Sequence, residues 1–172
     1  MATTSSILDR TGRLLHVAER AEALHDLGIT GKGIGVAVVD TGTSSHAALN
    51  KTTGGDWRYI AQYDALTDTL AASLPPAEMS KKNSGVGTLD LDDNGHGTHT
   101  MGTMVGDDGA DAQVGMVPAA HWIACRNMEQ GWGTPASYSE CFEWFVAPYP
   151  QNGDPFADGR PELAPDVIGN SW

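Results

Sequence analysis

The stretch Ile34-Gly35-Val36-Ala37-Val38-Val39-Asp40-Thr41-Gly42 decides the fold. Its apolar run is short, continuous and mostly branched, as expected of a strand buried on both faces. It ends on an acid followed by a glycine. In open α/β sheets, sites form outside the carboxyl ends of the strands, and Asp40 stands at such an end. A carboxylate there needs donors or a cationic partner, because the preceding residues offer no solvation. Taken alone, Val-Asp-Thr-Gly reads as a turn or capping aspartate.

Upstream, Leu14, Val17, Ala18, Ala21, Leu24 and Leu27 recur at helical spacing, Gly28 supplies a stop, and residues 1–13 form a flexible start. Downstream, residues 43–92 show weak periodicity and a Pro75-Pro76 pair. They read as a long loop region with short elements around Trp57–Tyr63 and Asp68–Ala72. A helix then runs from His96 to about Val105, although Gly97 and Gly102 fall within it. Each glycine weakens a helix by about 1 kcal/mol relative to alanine, so a helix that keeps them needs close packing against neighbouring backbone. His121–Arg126 reads as a second buried strand and Gly131-Trp132-Gly133 as an irregular or edge segment. Thr134–Ala147 reads as a helix with Pro135 in its first turn. Asp166-Val-Ile-Gly-Asn-Ser-Trp172 starts a further strand. Strand, helix, strand, helix, strand implies a parallel sheet covered by helices.

Composition narrows the class. The 172 residues carry a net charge of −12, with 40% hydrophobic and 19% charged residues. No segment approaches the ~20 apolar residues of a membrane span, and the charge excludes a phosphate-neutralising nucleic-acid surface. Cys125 and Cys141 lie sixteen positions apart. They lack the four-ligand spacing of a structural zinc site, and both a disulfide in an exported protein and two buried thiols fit them. The start, Met1 to Ser6, has no basic segment followed by an apolar core, so no signal peptide is visible. A cytoplasmic protein fits that start, and so does a chain whose leader was removed.

His96 follows Asp92-Asp93-Asn94-Gly95. A helix amino terminus disfavours imidazolium, so a charged role for His96 calls for a carboxylate nearby. Gly33 to Gly42 resembles the Asp motif of the subtilisin-like serine peptidases. Asp93-Asn-Gly-His96-Gly-Thr-His99-Thr-Met-Gly102-Thr-Met-Val-Gly106 resembles their His motif. Val114-Gly-Met-Val-Pro118 and the strand after it, and Asp166 to Trp172, are similar to two further family segments. Four motifs in family order span residues 28–172, and the order Asp then His is that of subtilisin, not of chymotrypsin.

The resemblance implies a three-layer helix–sheet–helix domain of the α/β class with a mostly parallel sheet, covering residues 1–172 and incomplete at the carboxyl end. It implies a serine endopeptidase with His96 as general base and Asp40 as its orienting partner. His99 would be structural. Gly131, Trp132 and Gly133 would pair with substrate backbone on one side, and Ser171 and Trp172 on the other. Protein or peptide substrates, a secreted location and no required cofactor follow, with no nucleic acid or membrane partner. The family's oxyanion Asn and its Gly-Thr-Ser-Met-Ala-like nucleophile motif do not occur in the 172 residues. The expectation is therefore an Asp–His portion, inactive by itself, whose serine belongs to a carboxyl-terminal part of the same domain.

Fifty-five residues separate Asp40 from His96, leaving a loop insertion at 52–89 that shapes substrate access or is a surface ornament. Asp90, Asp92 and Asp93, and Asp107, Asp108 and Asp111, suggest calcium as a structural ion, since hard oxygen ligands suit it. Two other classes compete. One is a non-catalytic peptide-binding module or pseudo-enzyme. The other is a metal-dependent hydrolase using His96, His99 and nearby acids, although these lack the Glu and spacing of a His-Glu-x-x-His zinc motif.

Overall fold

A computed structural model describes residues 7–8, 14–15, 17–50, 58–66, 91–109, 114–151 and 153–171. The opening stretch forms strand β3 (Gly35–Asp40) in a four-stranded sheet. Ahead of it come β1 (Ile7–Leu8), β2 (Leu14–Leu15) and helix α1 (Val17–Asp26). After it come α2 (Ala47–Asn50), β4 (Tyr59–Asp64), α3 (His96–Val105), β5 (His121–Arg126), β6 (Met128–Glu129) and β7 (Trp132–Gly133). The helix α4 (Pro135–Val146), a 3-10 turn at Pro161–Leu163 and β8 (Val167–Asn170) complete the order.

The sheet runs β4-β5-β3-β8, and each of its pairings is parallel. Side chains of a strand alternate between faces, and both faces of β3 are apolar. Val36 and Val38 enter a core with Leu49, Met101, Val105, Trp122 and Ala124. Ala37 and Val39 enter a second core with Ala61, Tyr63, Ile123, Cys141, Trp144 and Phe145. α3 therefore covers one face and α4 the other, which gives the three layers. The pairing direction matches the strand–helix alternation of the sequence, since parallel neighbours need a crossover between them.

Cys125 on β5 and Cys141 on α4 form a disulfide with Cα atoms 5.7 Å apart, inside the usual span for such a bridge. The two thiols left open by the sequence are thus joined across the sheet–helix interface. α4 opens with Thr134, whose Oγ1 accepts from the Ser137 amide, with Pro135 in the first turn.

Two expectations are corrected. Leu14 is not the start of the first helix. It pairs with Leu8 in the β1–β2 ladder, and α1 begins at Val17; Ile7–Leu8, placed in the flexible start, is a strand. Within the segment 52–89, expected as a loop insertion, the short element expected around Trp57–Tyr63 is β4, a full member of the sheet. Its alternate residues Gln62 and Asp64 are polar yet buried, which hides the strand from an apolar pattern. Gln62 makes two hydrogen bonds with the Thr43 backbone, and Asp64 pairs with Arg126. The elements expected at Asp68–Ala72, and Pro75-Pro76, lie outside the described residues.

Candidate active site

Asp40 ends β3 with no exposed surface. Its Oδ1 accepts from the Thr41 amide at 2.7 Å and its Oδ2 from Thr100 Oγ1 at 3.3 Å. His96 Nδ1 lies 2.8 Å from Oδ1 and 2.9 Å from Oδ2. An ionised carboxylate only accepts, so Nδ1 carries the hydrogen and Nε2 is left as an acceptor in the neutral ring. The His96 side chain is 47% exposed, against none for its partner. One end of the pair is fixed in the protein while the ring reaches the surface.

Close approach of two backbones brings these residues together. His96 is the first residue of α3, and the next residue, Gly97, packs on the end of β3. A Cβ on Gly97 would stand 2.0 Å from the Gly42 carbonyl oxygen. This accounts for Gly97 inside the helix, whereas a Cβ on Gly102 would meet nothing within 4 Å, so the close packing expected there is not found. Asp92 folds the turn before it. Its Oδ1 accepts from the amides of Asn94 and Gly95 and from Thr41 Oγ1; its Oδ2 accepts from the Thr98 amide and hydroxyl. Thr41 Oγ1 in turn accepts from the Gly97 amide at 3.0 Å. An acid at a helix amino terminus also suits the macrodipole.

Partial burial alone would push the Asp92 carboxyl up. The hydrogen bonds from Thr98, Thr41 and Gly95 outweigh that and hold it below the ordinary value. A depressed folded pKa means stability that is present above the unfolded value, about 3.9, and lost as pH falls through the folded one. Asp92→Asn is expected to cost about 1–2 kcal/mol at neutral pH, the range of a lost helix cap, and to flatten the pH dependence of stability below about pH 4. Urea titrations of both proteins from pH 2 to 7 check this; parallel curves at all pH values would contradict it.

A cleft of about 210 Å³ is lined by Thr41, Asn94, His96, Met128, Gly131 and Ser171. It gathers Asp40's partner His96 with two of the expected substrate residues, Gly131 and exposed Ser171. β6 and β7 form a hairpin, pairing Met128 with Gly133 and Glu129 with Trp132. Its turn residues Gln130 and Gly131 have φ of 48° and 87°, the double positive φ of a two-residue hairpin turn. Trp132 is 84% exposed on the hairpin, and Trp132 and Gly133 do not line the cleft. Trp172 lies outside the described residues. His99 turns away from Asp40 and lines a separate cavity of about 430 Å³ with His46.

Residues 31–172 match the family model of the subtilase family. The chain belongs to the subtilase family. Bacillopeptidase F of Bacillus subtilis (strain 168) is 38% identical over 150 residues, covering 85% of this chain and 9% of the relative. Subtilisin Savinase of Lederbergia lenta is 32% identical over 126 residues, covering 73% of this chain and 37% of the relative. This subtilase chain thus spans well under half the length of either. A solved structure, that of the Clostridium perfringens CspB protease, superposes with a TM-score of 0.61 at 17% identity, covering 90% of this chain and 32% of that one. The likeness carries the α/β fold.

Three contributors to this subtilase site escaped the sequence reading: Thr41, Thr100 and Arg126. Each acts through a polar atom on residues that read as ordinary strand or helix positions. The six-residue interval from Asp92 to Thr98, closed by two hydrogen bonds, was the available signal for the loop. Of the acids that suggested calcium, Asp92 and Asp93 accept from protein donors, Asp107 accepts from the Gly109 amide, and Asp90 and Asp111 lie outside the described residues. Among the described residues no group of three His, Cys, Asp or Glu side chains is placed to hold a metal ion, and no helix is long and apolar enough to cross a membrane.

Proposed function

We propose that this chain is the Asp–His part of a serine endopeptidase that hydrolyses peptide bonds in proteins. The observation that carries the reading is the His96 Nδ1 contact with buried Asp40, which leaves Nε2 as the free acceptor of a half-exposed ring. His96 Nε2 takes the proton of a serine hydroxyl as Oγ bonds to the scissile carbonyl carbon. It returns that proton to the amine nitrogen as the C–N bond breaks. Asp40 stays ionised, holds the ring's tautomer and offsets the imidazolium charge.

The serine and the oxyanion amide come from residues beyond this chain. Ser171 shares the cleft but follows a pocket-type strand, and we assign it with Trp172 to one side of the bound peptide. Gly131, Trp132 and Gly133 take the other side, where β7 offers an extended edge for main-chain pairing. The chemistry requires no cofactor. The Cys125–Cys141 disulfide supports a secreted protein, since such bridges persist in oxidising compartments.

The test uses the longest natural polypeptide that contains this chain, alongside residues 1–172 alone. The longer protein is expected to turn over casein or a chromogenic peptide, with a serine-directed phosphonate attached to a serine outside 1–172 and abolishing activity. Turnover by the 172-residue chain alone, or activity blocked by a chelator and untouched by the phosphonate, would overturn the reading.

A further inference from the structure

The two acids that precede the helix divide their work. Asp92 folds the His96 turn onto itself, whereas Asp93 reaches across to another element. Asp93 Oδ2 lies 3.0 Å from Arg126 Nη2. Both Asp93 oxygens accept from the Gln130 amide, at 3.2 and 3.1 Å. Arg126 is the last residue of β5, and its Nη1 binds fully buried Asp64 at 3.1 Å. The Arg126 side chain is only 5% exposed.

Charge alone does not account for this arrangement. Asp64 is sufficient to neutralise the guanidinium, and a second carboxylate beside the first adds like-charge repulsion. Asp93 does something Asp64 does not: it captures the turn of the β6–β7 hairpin. Gln130 sits there at φ 48°, a left-handed backbone that is unfavourable for a residue with a side chain. A hydrogen bond to a charged acceptor offsets that cost more effectively than one to a neutral group.

The covalent path tightens the link. Asp93 stands three residues before His96, and Gln130 four residues after Arg126. Between them the Asn127 amide donates to the Asp40 carbonyl at 3.0 Å. The hairpin is therefore anchored at its base to the backbone of Asp40 and at its tip to the turn that carries His96.

We infer that Asp93 is a positioning residue that sets the hairpin edge, and with it a peptide lying along Gly131–Gly133, at a fixed distance from His96. The inference rests on the peptidase reading for its consequence, and on Arg126–Asp93–Gln130 for its geometry. A ligand that reaches the hairpin feels Asp93; one that occupies only the bond-breaking centre does not.

Two variants of the longer protein, Asp93→Ala and Asp93→Asn, separate this from a merely structural role. On a peptide long enough to pair with β7, Asp93→Ala is expected to lower kcat/KM about tenfold, chiefly through KM. On a single-residue ester the change should stay within about twofold. Asp93→Asn, whose amide oxygen still accepts from Gln130, should recover part of the loss. Amide hydrogen exchange over residues 129–132 is expected to be about tenfold faster in Asp93→Ala. Equal losses on both substrates overturn the inference while leaving the peptidase reading intact, and so does unchanged exchange in the hairpin. If the wild-type protein turns over neither substrate, the peptidase reading fails. The exchange experiment then decides alone: faster exchange upholds Asp93 as the residue that sets the hairpin, and unchanged exchange overturns it. Should Asp93→Ala fail to fold, Asp93→Asn carries the same comparisons at smaller amplitude.

Discussion

Alanine at His96 is expected to lower kcat of the longer protein by about 10⁶, the scale of losing the base of such a triad, with KM changed little. The ring is half-exposed, so its loss leaves no core cavity, and Asp40 keeps the Thr41 amide and Thr100 hydroxyl as donors. In the proposed function, peptide affinity comes from main-chain pairing with the hairpin and the residues after β8 rather than from the His96 ring. Asp40→Asn should fall less, by about 10⁴. Its amide can donate to Nδ1, which moves the hydrogen to Nε2 and blocks proton abstraction without disturbing the ring's position. Steady-state kinetics on one chromogenic peptide, with unfolding curves as a control for folding, measure both. An alanine variant that keeps more than a hundredth of wild-type kcat would show that His96 is not the base.

The order of these effects follows from where each atom sits, and much of that was legible beforehand. β3 and β5 announce themselves by uninterrupted apolar runs that only a doubly covered strand tolerates. α4 announces itself by Pro135 in its first turn, which the bonds between Thr134 and Ser137 then close. The pairing of Asp40 with His96 was legible from the ordered motifs, because neither residue's neighbours alone distinguish it from a turn or a satisfied core histidine. β4 was not legible. Gln62 and Asp64 are buried through partners at Thr43 and Arg126, far away in sequence, and no local period encodes a partner. The start of α1 was misplaced for a related reason, since Leu14 satisfies a helical period and a strand pairing equally.

Long-range polar partners also explain why the supporting residues of the site were missed. Thr41 is buried by its bonds to Asp92 and Gly97, fifty-one and fifty-six residues away. Such threonines look like any strand-end residue until the chain is folded. The two groups proposed to carry the reaction sit at element ends, whereas the groups that hold them are spread over the end of β3, the turn before α3 and α3 itself.

Arg58 is the clearest case of a distant support, and its removal is expected to have the largest effect on stability. It is fully buried just before β4. Its guanidinium donates to the carbonyls of Val105 at the end of α3, Pro118 before β5 and Ala48 in α2. Burial pulls its pKa down, and the charge of Asp107 opposes that; the group stays charged in either case. Arg58→Leu fills similar space but removes this donor from three carbonyls; that of Ala48 keeps the Asp107 amide, and the other two cost about 1–3 kcal/mol each when buried. The sum should reach about 2–6 kcal/mol, a large share of the 5–15 kcal/mol typical of a domain. At about 2–4 °C per kcal/mol for a chain of this size, Tm should fall by roughly 5–20 °C. Calorimetry of the two proteins measures it, and a fall of less than about 3 °C would mean that the carbonyls find other donors. Because Val105 ends the same helix that His96 begins, the surviving folded fraction of Arg58→Leu should also lose activity: a helix released at one end no longer holds the ring against Asp40 at the other.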